Sequence, residues 1–274
     1  WELHQFRSRY HREEVTNNRG GWAKLEFSKT EHLTSEGYFT YLKEFKGGHS
    51  LNAVAGYSYF EKNGENFNAE NYDFGVEGLK YWDLESGSYL TDGKAKMGSK
   101  KDITERLFAL YARANYSYND KYMVTATIRH EGSSKFAAEN RWGNFWSVSG
   151  SWRLSQEAFM ESLSNVITDA KIRASYGVNG TQPKDYYGYM GVYEFGYNYN
   201  GNGGSSEARF FNPSLKWEKN YNLNIGLSLT FIDRIFVNLE YYNRDTKDLL
   251  YYRPISSTTG FLNYLANIGQ LNNK

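Results

Sequence analysis

Five histidines, His4, His11, His32, His49 and His130, are the residues best suited to metal ligation or proton transfer. Zinc sites need imidazoles and thiolates at short spacings that converge on one point. These five are scattered without such a pair, and the sequence contains no cysteine. Thiol catalysis, disulfides and cysteine metal sites are thereby excluded. The stretch YNYNGNGGSSE (197–207) is rich in oxygen but lacks the aspartates of a calcium loop, and it reads as a flexible external loop. Neither a phosphate-binding glycine loop nor a nucleophile elbow occurs. No metal, cofactor or enzymatic chemistry is expected.

The residue types that carry recognition chemistry are aromatic. NYDFGVEGLKYWDLESGSY (71–89) and DYYGYMGVYEFGYNYN (185–200) hold Tyr72, Trp82, Tyr186, Tyr187, Tyr193, Phe195, Tyr197 and Tyr199. Exposed rings stack on sugar faces or anchor protein interfaces. Packed on one another, the same rings would only hold long loops together. These eight are the candidate ligand-contacting residues, with both readings open.

Positioning them falls to strands. In YNLNIGLSLTFIDRIFVNLEYYNR (221–244), Leu223, Ile225, Leu227 and Leu229 alternate with Asn222, Asn224, Gly226 and Ser228. Ile-Asp-Arg (232–234) interrupts, and Ile235, Val237, Leu239 and Tyr241 resume the apolar row. Side chains on a strand alternate between faces, so this is a hairpin with one apolar and one polar face. The pattern recurs over 107–118, 121–130, 145–154 and 171–178, and more weakly over 21–30, 37–46, 49–61 and 261–268. Strands of about ten residues exceed the usual ~5–6 of soluble sheets and approach the ~9–11 that span a bilayer. The segment 155–169 has a helical look.

Short connections at 46–49, 119–121 and 232–234 alternate with long segments near 62–104, 131–141, 180–215 and 245–260. All long connections are therefore expected at one end of the sheet. Tyrosines at 57, 59, 116, 118, 241, 242, 251 and 252 lie near strand ends, where rings prefer a membrane–water boundary. Of the 274 residues, 40% are hydrophobic and 18% aromatic, with 26 Gly against three Pro, which favours strands and turns. A net charge of +1 leaves no basic field for nucleic acid. No apolar run approaches the ~18 residues of a membrane helix. A strand-built membrane wall remains open, because only alternate residues of each strand need face lipid.

RHEGSSKFAAENRWGNFWSVSGSWRLSQEAFM (129–160) resembles the barrel signature of the SusC/RagA family of TonB-dependent outer-membrane transporters. KIRASYGVNGTQ (171–182), NPSLKWEKNYNLNIGL (212–227) and YYNRDTKDLLYYRPI (241–255) follow in that family's order, and HSLNAVAGYSYFE (49–61) resembles an earlier strand. The resemblance implies an all-β, antiparallel up-and-down transmembrane barrel of 22 strands, of which residues 1–274 would form about half. Plug, TonB-contacting box and C-terminal strands are not recognisable. It further implies import of nutrient oligosaccharides or peptides across the outer membrane of a Gram-negative bacterium. A SusD-like lipoprotein lid, TonB and outer-membrane lipid would be the partners, with no nucleic acid. In such a wall Asn222, Asn224, Arg129, Arg153 and Arg173 would face the lumen, the arginines paired with carboxylates or wetted. The alternative is a soluble carbohydrate-binding β-sandwich or propeller, whose apolar rows would meet another sheet.

Overall fold

The computed structural model describes residues 2–11, 22–75 and 82–274, with side chains from residue 22 onward except those of 102–104 and 199. The strands are β1 (Glu2–His11), β2 (Trp22–Phe45), β3 (His49–Tyr72), β4 (Lys96–Tyr118), β5 (Tyr122–Ser133), β6 (Trp142–Arg153) and β7 (Ile167–Thr181). They continue as β8 (Val192–Tyr199), β9 (Asn202–Arg209), β10 (Glu218–Phe231), β11 (Ile235–Lys247), β12 (Leu250–Pro254), β13 (Asn263–Asn267) and β14 (Gln270–Asn273). Ten of them form one antiparallel sheet in the order β1-β2-β3-β4-β5-β6-β7-β10-β11-β14. The hairpins β8–β9 and β12–β13 are separate two-stranded sheets. In this up-and-down order β1 pairs with β2 alone and β14 with β11 alone among the described residues.

The chain divides into two compact units, Trp1–Thr34 with Phe60–Arg106, and Ser35–Tyr59 with Leu107–Lys274. In the first, β1 pairs with β2 from Glu2↔Glu31 to His11↔Trp22. Polar side chains hold this unit. Asn66 donates to Glu26 and Ser28 at 3.1 and 2.8 Å, Arg106 pairs with Glu61 at 3.1 Å, and Lys96 pairs with Glu70 at 3.2 Å.

In the second unit the alternation read from the sequence is realised across strands, because residues directly opposite share a face. Ala114, Ala126, Val148, Tyr176 and Leu223 lie side by side on one face. Arg113, Thr127, Ser147, Gly177, Asn222 and Arg244 lie side by side on the other. The apolar face is uncovered: Ile128 is 55% and Leu239 58% exposed. Among the described residues no second sheet buries it, which is the opposite of a sandwich core.

Rows of rings bound that face. At the short-turn end, successive centroids run His49–Tyr118 at 4.5 Å, Tyr118–Tyr122 and Tyr122–Trp152 at 6.2 Å, and Trp152–Phe159 at 6.4 Å. Glu157 accepts hydrogen bonds there from the Tyr122 hydroxyl (2.5 Å) and the Trp152 indole (3.0 Å). At the long-loop end, Trp142 stacks on His130 at 4.7 Å and meets Phe108 edge-on at 6.3 Å.

Three arginines of the polar face are paired with carboxylates. Arg129 forks onto Glu131 at 2.9 and 3.1 Å, and Arg153 lies 3.5 Å from Asp169. Arg173 crosses β10 to reach Glu240 and also donates to Ser228. It can cross because residue 226 is glycine: a Cβ there would lie 2.5 Å from Arg173 Nε.

Turn chemistry explains the tight end. Gly47–Gly48, Asn119–Asp120 and Ile232–Asp233 all have positive φ, the backbone of two-residue turns that match strand twist. The 154–166 connection winds as 3-10 turns, Leu154–Gln156 and Ala158–Leu163, in keeping with its helical look.

Three expectations are corrected. Segments 21–30 and 37–46 are parts of one 24-residue strand, β2, and β3 and β4 extend through much of 62–104. The extensions are polar on both faces, as in EKNGENFNAENY (61–72), so periodicity gave no contrast. Residues 261–268 are no wall strand; β13 pairs with β12 from Leu250↔Asn267 to Pro254↔Asn263. The stretch 197–207 is no irregular loop but the turn and strands of β8–β9.

Candidate functional site

The long-loop end of the second unit is tied by a knot of rings and polar clamps. Phe136, Phe145, Val178, Leu215 and Trp217 are buried together, with Trp217 centroids 4.9 Å from Phe136 and 5.2 Å from Phe145. The Trp217 indole donates to the Arg141 carbonyl at 3.0 Å, so its polar atom is satisfied. Beside this knot Asn220 is buried on the polar face. Its Oδ1 accepts from Arg244 (2.9 and 3.2 Å) and Thr246 (2.7 Å), while its amide donates to Thr181 at 3.0 Å. Asn267 links the loops, accepting from the Lys216 amide and donating to the Lys216 and Asp248 carbonyls at 2.8–2.9 Å.

From this base rises β8–β9. Arg209 anchors its foot, donating to the carbonyls of Tyr186 (3.1 Å) and Tyr187 (3.3 Å). Phe210 packs against Phe261 and Tyr264 at 5.7 and 5.1 Å. Above the foot every described side chain from Val192 to Asn198 is exposed. Alternation alone would put Tyr193, Phe195, Tyr197 and Tyr199 on one face. The structure splits them. Gly196, with φ +104°, is a bulge: Phe195 opposes Ser205 while Tyr197 opposes Gly204. Tyr193 and Phe195 therefore share one face with Glu207, to which the Tyr193 hydroxyl donates at 3.2 Å. Tyr197 shares the other with Glu194, to which it donates at 3.4 Å.

A cavity of about 670 Å³ lies at the hairpin bases, lined by Gln182, Asp185, Glu218, Tyr251 and Tyr252 among others. The Tyr252 hydroxyl donates to Asp185. That hydrogen bond, burial and the carboxylate's charge push the Tyr252 phenol above its ordinary pKa. Glu218 accepts from the Leu250 amide at 3.0 Å. Tyr251 and Tyr252 belong to the loop hairpin β12–β13 rather than to a membrane-boundary row. Asp185 and Glu218 carried no signal in the sequence, since each is a single carboxylate whose neighbours come from other loops.

Of the aromatic candidates, the structure brings Tyr193, Phe195 and Tyr197 together on β8–β9; Phe195 is 83% exposed. The Tyr199 side chain lies outside the described residues. Tyr186 and Tyr187 are half-buried beneath that hairpin, with Lys135 Nζ 4.9 Å from the Tyr186 ring and Tyr187 edge-on to Tyr189 at 6.2 Å. In the first unit Tyr72 is buried at 7% exposure, donates to Glu70 at 3.0 Å and packs on Tyr89 at 5.3 Å. Trp82 is 80% exposed. Among the described residues, no group of three His, Asp or Glu side chains could hold a metal ion.

Over residues 1–274 the sequence matches the family described as TonB dependent receptor-like, beta-barrel. The chain belongs to that family. TonB-dependent receptor P3 of Formosa agariphila is 34% identical over 259 residues, 93% of this chain and 25% of that protein. TonB-dependent receptor SusC of Bacteroides thetaiotaomicron is 34% identical over 194 residues, 66% of this chain and 19% of that protein. The solved RagAB peptide transporter superimposes with a TM-score of 0.77 at 25% identity, covering 92% of this chain and 27% of that one. This chain thus spans about a quarter of the receptors it matches. Those named relatives are receptors and transporters, and the SusC-like resemblance read from residues 129–255 agrees with them.

Proposed function

We propose that this chain is a section of the wall and external loops of a TonB-dependent importer in the outer membrane of a Gram-negative bacterium. The observation that carries the reading is the uncovered apolar face, bounded by aromatic rows and backed by a continuous polar face. Along β6, Trp142 and Trp152 mark the two rows ten residues apart. At ~3.3 Å per residue and a strand tilt of ~40°, that separation is about 25 Å, the height of the apolar band of an outer-membrane barrel. The polar face then lines the lumen. Its centre is built from hydroxyls and amides such as Thr125, Ser149, Ser175 and Asn224, which suit a hydrated path.

The long loops and their aromatic hairpin face the cell exterior, where a SusD-like lipoprotein lid and an oligosaccharide or peptide cargo would meet them. TonB would act through a plug in the remainder of the receptor. The test is uptake. Cells carrying the full-length receptor should accumulate a fluorescent oligosaccharide or peptide in a TonB-dependent manner, and cells lacking either protein should not. Uptake indifferent to TonB, or a full-length protein that stays soluble without detergent, would contradict the reading.

A further inference from the structure

The hairpin β8–β9 is a sheet of only two strands, and such a sheet is marginal in water without a third strand or a packed face. Its strands pair with each other and with no other strand among the described residues. β9 has its own bulge at Ala208, next to the foot; beyond it the outer edge is Gly203, Gly204, Ser205 and Ser206, side chains too small to obstruct another backbone. The outer edge of β8 is bent by the Gly196 bulge and flanked by bulky rings. An extended segment can therefore add only along β9 without obstruction, by the strand-addition mode that exposed edges offer.

The chemistry of the two faces selects the segment. Residues 192–208 contain Glu194 and Glu207 and no lysine or arginine. Arg209, next in sequence, is turned back onto the Tyr186 and Tyr187 carbonyls. Because of the bulge, each face carries one carboxylate beside at least one tyrosine: Glu207 with Tyr193, and Glu194 with Tyr197. A third strand would present its side chains alternately to these two faces. A carboxylate next to an aromatic ring favours an ammonium or guanidinium group, through charge and cation–π attraction together. Had all the rings shared one face, only alternate residues of a bound strand would have met this pairing.

We infer that the β9 edge takes an extended basic peptide as a third strand, its lysine or arginine side chains falling on the Glu207–Tyr193 and Glu194–Tyr197 pairs. The inference rests on the importer reading and deepens it by naming the cargo that the external hairpin selects.

Four labelled probes on the purified full-length receptor in detergent decide it by fluorescence anisotropy. They are an arginine–valine hexapeptide whose arginines come in adjacent pairs, so that each face receives one, its glutamate–valine counterpart, the arginine–valine peptide N-methylated at alternate amides, and maltohexaose. The arginine–valine peptide should bind, at least tenfold more weakly to the E194Q/E207Q variant and in about 0.5 M salt, where charge pairing is screened. N-methylation should abolish binding, and hydrogen exchange at residues 203–208 should slow only with the unmethylated peptide. Equal binding of the glutamate peptide, equal binding of the methylated peptide, maltohexaose as the only bound probe, or no binding would each overturn the inference. A receptor that imports in a TonB-dependent way yet fails these tests would lose the basic-peptide site alone. Loss of TonB-dependent uptake with peptide binding intact would instead strike the importer reading.

Discussion

Leu227 and Ser228 are neighbours in β10 with opposite surroundings. Leu227 stands in register with Ile172 and Leu239 on the apolar face, and Ser228 with Lys171 and Asn238 on the polar one. Leu227→Arg should cost about 2–4 kcal/mol in a folding assay in lipid, the range for a cation near a bilayer midplane. Ser228→Arg should cost far less, and equal costs would mean the faces are reversed. Asn220 is a different case, itself buried, bonded to the buried Thr246 and to the exposed Thr181 and Arg244. Asn220→Ala would leave the buried Thr246 hydroxyl without its acceptor while the exposed Arg244 turns to water, and a loss of about 1–2 kcal/mol is expected. Ile232 carries strain instead, since a β-branched residue sits at φ +51° in the 232–233 turn. Ile232→Asn should raise the stability of the receptor by about 1 kcal/mol in denaturant unfolding. A fall would show that the isoleucine side chain outweighs its backbone.

At the scale of elements, the turn after β6 holds Glu157 in a hydrogen-bonded cage. Bonds from Tyr122 and Trp152, with Lys121 nearby, hold its carboxyl below the ordinary value of 4.5. A depressed folded pKa contributes stability above the ordinary value, and that contribution is lost as pH falls through the folded one. Wild type should therefore melt higher than Glu157→Gln near neutrality, and the difference should shrink below about pH 4.5. A gap that widens in acid would contradict the cage. The connections make a second test. A cysteine at Tyr197, in the β8–β9 hairpin, should be labelled from outside intact cells, whereas one at Asp120, in a tight turn, should be protected. Reversed labelling would invert the proposed orientation.

The elements also show what the sequence made legible. Where apolar and polar residues alternate strictly, as in β5, β6, β7, β10 and β11, faces and turns were readable, because burial contrast and strand period coincide. Where both faces are polar, as in the outer reaches of β3 and β4, that contrast vanishes and strands look like loops in the sequence. The split of the aromatic row at Gly196 was not readable either. A glycine between two rings is equally compatible with a regular strand and a bulge, and only the pairing of Ser205 and Gly204 decides.

For the whole molecule, what covers the apolar face separates a membrane wall from a soluble sheet. Backbone groups in hydrocarbon must all be bonded, so a spanning sheet has to close. Under the proposed importer reading the ten-stranded order is one section of such a closed wall. Single spin labels, attached to cysteines introduced at successive positions 222 to 229 of the full-length receptor with any cysteine elsewhere replaced, decide this in bilayers. Labels at Leu223, Ile225, Leu227 and Leu229 should be reached by oxygen dissolved in lipid and shielded from a water-soluble nickel chelate. Labels at Asn222, Asn224, Gly226 and Ser228 should show the converse or be shielded from both. Oxygen accessibility that does not alternate with period two, or that peaks at the even positions, would contradict a lipid-facing wall.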